Sequence, residues 1–353
     1  MLNKKNKLIK FSSAINNALD MAMAKNENVI LFGLGAEDPK RVFGTLKNLK
    51  EKYKNRVFDI PTSENAITGI ALGASINGLR PVLSHQRVEF SLLSLEQIIN
   101  QISKWSFMNN GKKSASLVIR LVIGRGWGQG PQHSQSLESI FAHVPGLKVV
   151  SPSNPKDAKG MLISSIEDKN PVIFFEHRWL HEIEDKVPLK YYKVKIGEPK
   201  ICKYGKQITL VSYSYMLNET LKAAKILEKH NINCEVIDLN TLRPLNIRKI
   251  LKSVKKTKKI LFIDNGYSEF GIGSEVISKI VSNLKDTKNF KFHKIGILGH
   301  PIASTRALAK YSYIDYKKII LKIKEILNSK KKIKYKHKNT MIDVPNLNFK
   351  GPF

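Results

Sequence analysis

Apolar runs and helical patterns alternate along most of the chain. Residues 12–25, SSAINNALDMAMAK, place apolar side chains at helical spacing behind serine, and the following NVILFGLG is an apolar run that ends in glycine. The small residues of 64–78 predict a closely packed helix, 94–108 predicts another, and RPVLSH, ASLVIRLVIG and PVIFFEH predict buried strands. Continuous apolar strands that alternate with helices are typical of a parallel sheet covered on both faces. We therefore predict a doubly wound α/β domain over residues 8–180.

A break in this pattern separates a second alternating set. Residues 181–205 contain proline, glycine and mixed charges without sustained periodicity, which is typical of a linker. Strand-like ITLVSYSYM, CEVIDLNTLRPL and KILFIDNG then alternate with helix-like ETLKAAKILEKHN, IRKILKSVKKT and SEVISKIVSNL. This predicts a second, smaller α/β domain over 206–328, followed by a basic tail over 329–353. A chain of 353 residues is long enough for two such domains, each with its own core.

Composition narrows the class of protein. Hydrophobic residues make up 42% and charged residues 25%, values typical of a folded globular protein. The two cysteines, Cys202 and Cys234, lie outside any metal-ligand spacing, which favours reduced thiols in a cytoplasmic compartment. The basic start MLNKKNKLIKF is followed by polar residues rather than by the apolar run of a signal peptide. Because no run of about 18 apolar residues occurs, we expect no membrane-spanning segment.

The net charge of +31 raises the question of nucleic-acid binding, because lysine and arginine neutralise phosphates. The chain has 50 lysines and only 10 arginines, whereas base and phosphate recognition favours the bidentate guanidinium of arginine. We therefore interpret the charge as a lysine-rich exterior and predict no nucleic-acid partner. The basic tail is interpreted in the same way, with contact to an acidic partner as the alternative.

The most distinctive loop is IGRGWGQGPQHSQS at 123–136, which surrounds His133 with glycines and contains no acidic residue. Its glycine spacing does not fit a dinucleotide fingerprint, and the chain has no P-loop, CxxC pair or HExxH helix. From residue types alone, His133 is equally compatible with catalysis and with a structural contact to a backbone carbonyl. Glu64 is compatible with a first helical turn behind a serine or threonine cap, and Phe90 with the core.

In combination, several segments resemble the beta subunits of thiamine-diphosphate-dependent 2-oxo acid dehydrogenases of the pyruvate and branched-chain type. They are DIPTSENAITGIALGASINGLRPV, QIINQISKW, the run from GPQHSQ to PVIFFEH, VIDLNTLRPL and FGIGSEV, and they extend over nearly all of residues 10–328. The resemblance implies a transketolase-like architecture, with a parallel-sheet pyrimidine-binding domain and a smaller domain like the transketolase C-terminal domain. It also implies an oxidoreductase that acts on the oxo group of 2-oxo acids.

The resemblance implies that the beta chain holds only half of a coenzyme site. It would bind the pyrimidine ring of thiamine diphosphate, while an alpha subunit would hold the diphosphate and its magnesium. This agrees with the lack of a GDG-type phosphate motif in the sequence. Two alpha chains and two beta chains would form a heterotetramer, and the acyl fragment would pass to the lipoyl group of a lipoyl acyltransferase.

The resemblance also assigns roles to individual residues. Glu64 matches the glutamate that hydrogen-bonds the aminopyrimidine ring, and Phe90 matches the aromatic residue that stacks on that ring. His133 matches an active-site histidine that orients the 2-oxo acid carboxylate and passes protons during acyl transfer. An imidazole that meets an anion has no need of a fixed carboxylate beside it, and glycine lets the loop move.

A potassium site is implied as well. Leu117, Ser165 and Asp168 would provide backbone carbonyl oxygens and Asn170 its side-chain oxygen, and uncharged oxygens suit a large monovalent cation. The alternative interpretation of SSIEDKNP is an ordinary helix end followed by a turn.

The chain departs from the family pattern at two places. Leu34 in FGLGAEDP stands where the family has a glutamate, and Glu37 lies three residues later. The segment SHQRVEF introduces His85, Gln86 and Arg87 near the expected substrate pocket. We hypothesise that His85 or Arg87 binds a polar or acidic part of an unusual substrate; a surface position of Arg87 is the alternative.

Two other functions are compatible with the same residues. A split transketolase-like or decarboxylating enzyme would use the coenzyme without a lipoyl acceptor and would extend an aldehyde or sugar. A non-catalytic assembly subunit would account for Leu34, and coenzyme binding by the reconstituted pair of subunits would distinguish it from an enzyme.

Overall fold

The computed structural model of the protein describes residues 6–124 and 128–334, which form two compact units. The first unit contains residues 6–124 and 140–196, and the second contains 128–139 and 197–334. Residues 128–136 of the glycine-rich loop therefore group with the second unit, whereas residues 123 and 124 group with the first. The sequence pattern places the whole loop in the first domain.

The chain up to residue 196 alternates strands and helices. In chain order these are β1 (Asn6–Lys10), α1 (Phe11–Lys25), β2 (Val29–Gly33), α2 (Leu49–Tyr53), β3 (Val57–Asp59), α3 (Glu64–Ile76), β4 (Arg80–His85), α4 (Trp105–Met108), β5 (Val118–Ile123), α5 (Glu138–His143), β6 (Lys148–Val150), α6 (Pro155–Glu167), β7 (Val172–His177) and β8 (Glu184–Pro188). Short 3-10 helices occur at Lys54–Arg56, Val88–Ser94 and Arg178–Leu180, and a π-helix at Gln97–Ile102.

Six strands of the first unit lie side by side in the order β6, β7, β5, β4, β2, β3, and all neighbouring pairs are parallel. Strands β2, β5 and β7 are buried along their whole length, as their continuous apolar sequences predict. In-register neighbours such as Val82, Val118 and Val172 bring apolar side chains together across the sheet. The predicted α/β class with a parallel sheet is confirmed for this unit.

The segment 94–108 is not the continuous helix that its pattern predicts. The 3-10 helix at Val88–Ser94 and the π-helix at Gln97–Ile102 precede α4, which has only four residues. Within the segment, the buried Ser103 hydroxyl donates to the Ile99 carbonyl at 2.7 Å. Serine hydroxyls that compete for backbone carbonyls in this way favour turns over regular helix.

The second unit has its own sheet. Its elements are β9 (Lys200–Lys203), β10 (Ile208–Ser212), α7 (Ser214–Glu228), β11 (Cys234–Asp238), β12 (Thr241–Arg243), α8 (Arg248–Thr257), β13 (Lys259–Tyr267), α9 (Ile272–Ser282), β14 (Lys291–Ile297), α10 (Arg306–Ser312) and α11 (Tyr316–Ile326). The sheet order is β14, β13, β10, β11, β9, in which β9 is antiparallel to β11 and the other pairs are parallel. This confirms the second predicted α/β set.

The predicted linker at 181–205 contains two strands that the sequence analysis did not identify. β8 pairs with β1, where Lys10 lies opposite Glu184, and β9 joins the second sheet. Both strands are short and carry exposed charged residues, so they show no sustained hydrophobic pattern. Contacts divide the two units between Ile196 and Gly197.

Two predicted segments lie partly outside the described residues, namely the glycine-rich loop at 125–127 and the basic tail at 335–353. Within residues 6–124 and 128–334, no helix combines the length and the hydrophobicity needed to cross a membrane. Cys202 is exposed and Cys234 is buried, and the two thiols do not form a disulfide.

Candidate functional site

The parallel strands of the first unit direct their loops to one edge of the sheet. In α/β sheets, ligands bind outside the carboxyl ends of the strands. Gly124, directly after β5, has a φ of +111°, and a Cβ atom there would lie 2.6 Å from Cε1 of the His177 ring at the end of β7. Glycine is therefore required where the chain leaves β5.

Glu64 is the first residue of α3, as the sequence pattern predicts. Its side chain is buried, with 8% exposure, and the positive end of the helix dipole favours a carboxylate at this position. Ser63 occupies the N-cap position, but its side chain makes no capping hydrogen bond and instead donates to Asn65 Oδ1 at 3.3 Å. A side chain of the next turn contacts the start of the helix instead, because the Thr68 hydroxyl donates to the Glu64 carbonyl at 2.7 Å.

Phe90 lies in the 3-10 helix Val88–Ser94, which packs against α3. The residue is half-buried, and its backbone N–H donates to the Arg87 carbonyl at 3.3 Å. The structure therefore brings the elements that carry Glu64 and Phe90 into contact. A partly accessible aromatic ring and a buried carboxyl group on adjacent elements can bind one face and one edge of a planar heterocycle.

His85 is the last residue of β4, and Arg87 follows two residues later. Both side chains are buried. Burial lowers the pKa of His85 to about 4, so its ring is neutral at pH 7. Gln86 donates from Nε2 to the Leu34 carbonyl at 2.8 Å. Because Arg87 is 8% exposed, the alternative that placed it on the surface is wrong.

Leu34 and Glu37 do not provide an acid at the position where the family has one. The Leu34 side chain packs against a buried apolar cluster that includes Phe32 and Ile67. Glu37 is exposed and pairs with Lys50, with Nζ and Oε1 2.7 Å apart. Glu37 therefore does not take over the missing role.

Arg120 and Glu176 form a fully buried ion pair that no sequence pattern indicated. Arg120 Nε lies 2.6 Å from Glu176 Oε1, and Arg120 Nη2 lies 3.0 Å from Oε2. Arg120 also donates from Nη1 to the Ser84 hydroxyl and from Nη2 to the Thr45 hydroxyl, both at 2.9 Å. The arginine charge holds the pKa of Glu176 at about 2 although burial opposes this. The two buried charges therefore compensate each other inside the fold.

Arg178 was also missed. It directly follows β7, is 6% exposed, and lies over the Phe43 ring, with Cζ 4.5 Å from the ring centroid. A charged residue that closes an apolar strand, as in FFEHR, is the sequence signal that could have identified it. Its position at the carboxyl edge of the sheet makes it a candidate for ligand binding.

The proposed cation ligands lie where two loops of the first unit meet. The Val172 N–H donates to the Leu117 carbonyl at 3.0 Å, and the Ser116 hydroxyl donates to the Lys169 carbonyl at 3.0 Å. These bonds bring Leu117 next to the loop that contains Asn170. Among residues 6–124 and 128–334, no group of three or more His, Cys, Asp or Glu side chains could hold a metal ion.

The backbone carbonyls of Leu117, Ser165 and Asp168 and the side-chain oxygen of Asn170 are uncharged oxygens, the kind of ligand that suits a monovalent ion. Some of these oxygens already accept hydrogen bonds. The Ser165 carbonyl accepts from the Asp168 N–H at 3.3 Å, and the Asp168 carbonyl accepts from Arg80 Nη1 at 3.1 Å. Asn170 donates from Nδ2 to Asp168 Oδ1 at 3.1 Å. Each carbonyl retains a second lone pair. Two positive charges lie close to these oxygens. One is Arg80, and the other is Lys148, whose Nζ lies 2.5 Å from Asp168 Oδ2.

His133 belongs to the second unit, in a loop that precedes α5 and has alternating burial. Ser134, Ser136 and Glu138 are buried, whereas His133 is half-buried. Asn265 anchors this segment, because its Nδ2 donates to Ser136 Oγ at 3.2 Å and to Glu138 Oε1 at 3.0 Å. His133 is therefore more accessible than the residues that Asn265 anchors.

Glu138 and Asp264 form a buried acidic cluster in the second unit that sequence reasoning did not predict. Burial and the nearby Asp264 raise the pKa of Glu138 to about 7, and burial also raises the pKa of Asp264. The Tyr213 hydroxyl donates to Asp264 Oδ1 at 2.6 Å. The cluster can therefore hold a proton near neutral pH. Its member Glu138 lies five residues after His133 in the sequence.

Comparison with known proteins matches both units. The family described as transketolase, pyrimidine binding domain matches residues 7–182, and transketolase, C-terminal domain matches residues 197–319. The beta subunit of acetoin:2,6-dichlorophenolindophenol oxidoreductase from Cupriavidus necator is 38% identical over 277 residues, which cover 76% of this chain and 82% of the relative.

Two relatives are described as subunit beta of the pyruvate dehydrogenase E1 component. The one from Staphylococcus epidermidis is 39% identical over 269 residues, 76% of this chain and 83% of the relative. The one from Porphyra purpurea is 36% identical over 321 residues, 91% of this chain and 97% of the relative. A solved split-gene transketolase, described as an inactive beta4 tetramer, superposes with a TM-score of 0.74 at 19% identity, over 92% of this chain and 99% of that chain. The resemblance read from the sequence is confirmed.

Proposed function

The chain belongs to the family of transketolase-like beta subunits of pyruvate and acetoin dehydrogenases, and from this we propose its activity. With an alpha subunit, it catalyses the oxidative decarboxylation of a 2-oxo acid and transfers the acyl fragment to a lipoyl group. The assembly is a heterotetramer of two alpha and two beta chains, and a lipoyl acyltransferase is the next partner.

The observation that carries the proposal is the buried carboxyl group of Glu64 at the start of α3, next to the element that carries Phe90. Thiamine diphosphate, when bound, supplies a nucleophilic carbon and an electron sink for decarboxylation. Glu64 would hydrogen-bond a nitrogen of the pyrimidine ring, and Phe90 would stack on the face of that ring. The alpha subunit would hold the diphosphate and most of the magnesium coordination.

His133 would act on the substrate rather than on the coenzyme. Its half-buried imidazole would orient the 2-oxo acid carboxylate and carry a proton during acyl transfer. Ser136 and Glu138, which Asn265 anchors, would hold the segment in place. Leu117, Ser165, Asp168 and Asn170 would bind potassium, which would brace the loop after α6.

The test replaces Glu64 with glutamine in the complex reconstituted with its alpha subunit. We expect Glu64→Gln to lower kcat about 100- to 10,000-fold, because a positioned acid contributes that much to proton transfer. The variant should also bind thiamine diphosphate more weakly, as measured by fluorescence quenching. Glu27→Gln, which changes an exposed glutamate of the same unit, is the matched control. Wild-type rates in Glu64→Gln would refute the assignment.

A second measurement separates the proposed reaction from its alternatives. The reconstituted enzyme is given a 2-oxo acid together with either a free lipoyl domain or an aldehyde, and the products are identified by mass spectrometry. Acylation of the lipoyl domain supports the dehydrogenase reaction. Extension of the aldehyde without lipoyl acylation would identify a transketolase-like enzyme, and failure to bind the coenzyme at all would identify an assembly subunit.

A further inference from the structure

Two buried arginines lie at the carboxyl edge of the first sheet, where the proposed function does not use them. β4 and β7 flank β5, so Arg87 and Arg178 follow strand ends that are two strand spacings apart, about 10 Å. Burial lowers the pKa of both groups, that of Arg178 to about 10; for Arg178 the nearby Glu182 opposes this shift and the positive charge of Arg87 adds to it. The two guanidinium groups therefore repel each other in a setting that holds little water.

His85 adds a buried hydrogen-bonding atom at the same edge. Its Nε2 has no hydrogen-bond partner within the described part of the chain. A buried polar atom without a partner costs free energy, and a bound ligand can supply that partner. The neutral imidazole can donate an N–H to an anion without adding a third positive charge.

A cavity of about 450 Å³ opens beside Arg178, a size within the range of about 300–1,000 Å³ for small-molecule sites. Four basic and two acidic side chains line it, namely Lys40, Arg41, Lys47 and Arg178, with Glu51 and Glu182. Glu51 pairs with Arg41 at 2.6 Å, and Glu182 pairs with Lys10 at 2.6 Å. Because both carboxylates already have cationic partners, the cavity carries an excess of positive charge.

One wall of the cavity has a strained backbone. Arg41, Val42 and Phe43 have φ values of 46°, 49° and 58°, and Gly44 follows at 82°. Side chains rarely adopt this left-handed conformation, least of all a β-branched residue such as Val42. The run places the Phe43 ring against the Arg178 guanidinium. Strain of this kind is concentrated at ligand-binding and catalytic sites.

We infer that this cavity, together with Arg87, Arg178 and His85, binds an oxyanion at the far end of the substrate. The chain then acts on a 2-oxo acid that carries a second anionic group, either a carboxylate or a phosphate. Arginine suits both, because its planar donors match their oxygen pairs. The inference about the substrate rests on the proposed function, whereas the anion site rests on the charges and the cavity.

The kinetic test compares two substrates of equal chain length in the reconstituted complex. 2-Oxoglutarate and 2-oxopentanoate differ only in the distal carboxylate, and we expect the wild type to prefer 2-oxoglutarate. Arg178→Met should lower the ratio of the two kcat/KM values about 10- to 100-fold, and Arg178→Lys should restore part of it. Lys186→Met, which removes an exposed lysine outside the cavity, should leave the ratio unchanged. Equal losses for both substrates in Arg178→Met would overturn the inference.

A binding measurement separates this inference from the proposed function. Calorimetric titration of the full chain with glutarate and with inorganic phosphate tests the anion site directly, and the tighter ligand identifies the preferred oxyanion. Binding that weakens at least about 10-fold in Arg178→Met supports the site even if no 2-oxo acid is turned over. If Arg178→Met fails to fold, the exposed pair Lys40→Ala and Lys47→Ala replaces it, with an expected loss of about 3-fold. Binding of neither anion by the wild type would overturn the inference.

Discussion

In the first unit the parallel strands that flank the central strand lead to basic side chains, whereas in the second unit they lead to acidic ones. β4 and β7 flank β5 and are followed by Arg87 and Arg178. β11 and β13 flank β10 and carry Asp238 and Asp264 near their carboxyl ends. The same strand arrangement therefore gathers opposite charges in the two units.

The two charged edges also differ in how their charges are satisfied. Asp264 accepts hydrogen bonds from the Tyr213 hydroxyl and from the N–H groups of Gly266 and Gly273, at 2.6, 3.3 and 3.0 Å. These donors are fixed parts of the second unit. Arg178 instead borders a cavity and stacks on Phe43. The fold thus determines where charged groups collect, and local contacts determine whether they hold a proton or receive a ligand.

The largest expected effect on stability concerns the buried ion pair of Arg120 and Glu176 in the first unit. Glu176→Gln leaves the buried Arg120 guanidinium without its counter-charge, and we expect a loss of about 3–5 kcal/mol in the free energy of unfolding at pH 7. Because the pKa of Glu176 lies at about 2 in the folded chain, its contribution is complete above about pH 4.5. It is lost as the pH falls toward 2. Urea unfolding at pH 7 and pH 3 measures both effects.

The control for this experiment is Glu325→Gln, which breaks an exposed ion pair with Lys322. The Glu325 side chain is 64% exposed, and such pairs contribute at most about 1 kcal/mol. If Glu176→Gln cost no more than this control, the distinction between compensated and ligand-binding arginines in the first unit would fail.

The acidic edge gives an effect of opposite sign. The pKa of Glu138 is about 7 in the folded chain, so folding favours its neutral form. The stability contributed by that form is complete below about pH 4.5 and is lost as the pH rises through 7. Glu138→Gln keeps a neutral acceptor for Asn265 and should therefore be more stable than the wild type by about 3 kcal/mol at pH 8. At pH 4.5 the two chains should be nearly equal.

Thermal unfolding across pH 4.5 to 8 measures this difference in stability. The control is Glu269→Gln, which changes an exposed glutamate of the second unit; its stability relative to the wild type should not change with pH. A Glu138→Gln chain that is less stable than the wild type at pH 8 would show that the carboxylate is stabilised by its surroundings. The acidic edge would then not be a place that holds a proton.

Local patterns predicted the two alternating α/β sets, because strands such as β5 and β7 are apolar along their whole length. They also placed Glu64 at the start of a helix, since small residues and a polar cap mark that position. They could not identify Arg178 as a partner of Arg87, because the two residues are far apart in sequence and meet only through the strand order. For the same reason the raised pKa of Glu138 was not predicted, since it depends on burial in the folded unit and on Asp264 from a distant strand.

The smallest effect tests whether the basic edge owes its charge to arginine alone. Burial lowers the pKa of His85 to about 4, so protonation of this ring is disfavoured in the folded chain. Its contribution to stability is complete above about pH 6.5 and is lost as the pH falls toward 4, by about 2 kcal/mol at pH 5. His85→Leu should reduce the acid-side loss by about 2 kcal/mol at pH 5 and leave the part due to His181, whose pKa burial also lowers. His300→Leu, which changes an exposed histidine of the second unit, should leave the loss unchanged. An equal loss between pH 6.5 and 5 in His85→Leu and in the wild type would show that the fold does not keep His85 neutral, and the arginines could then not be treated as the only charges at this edge.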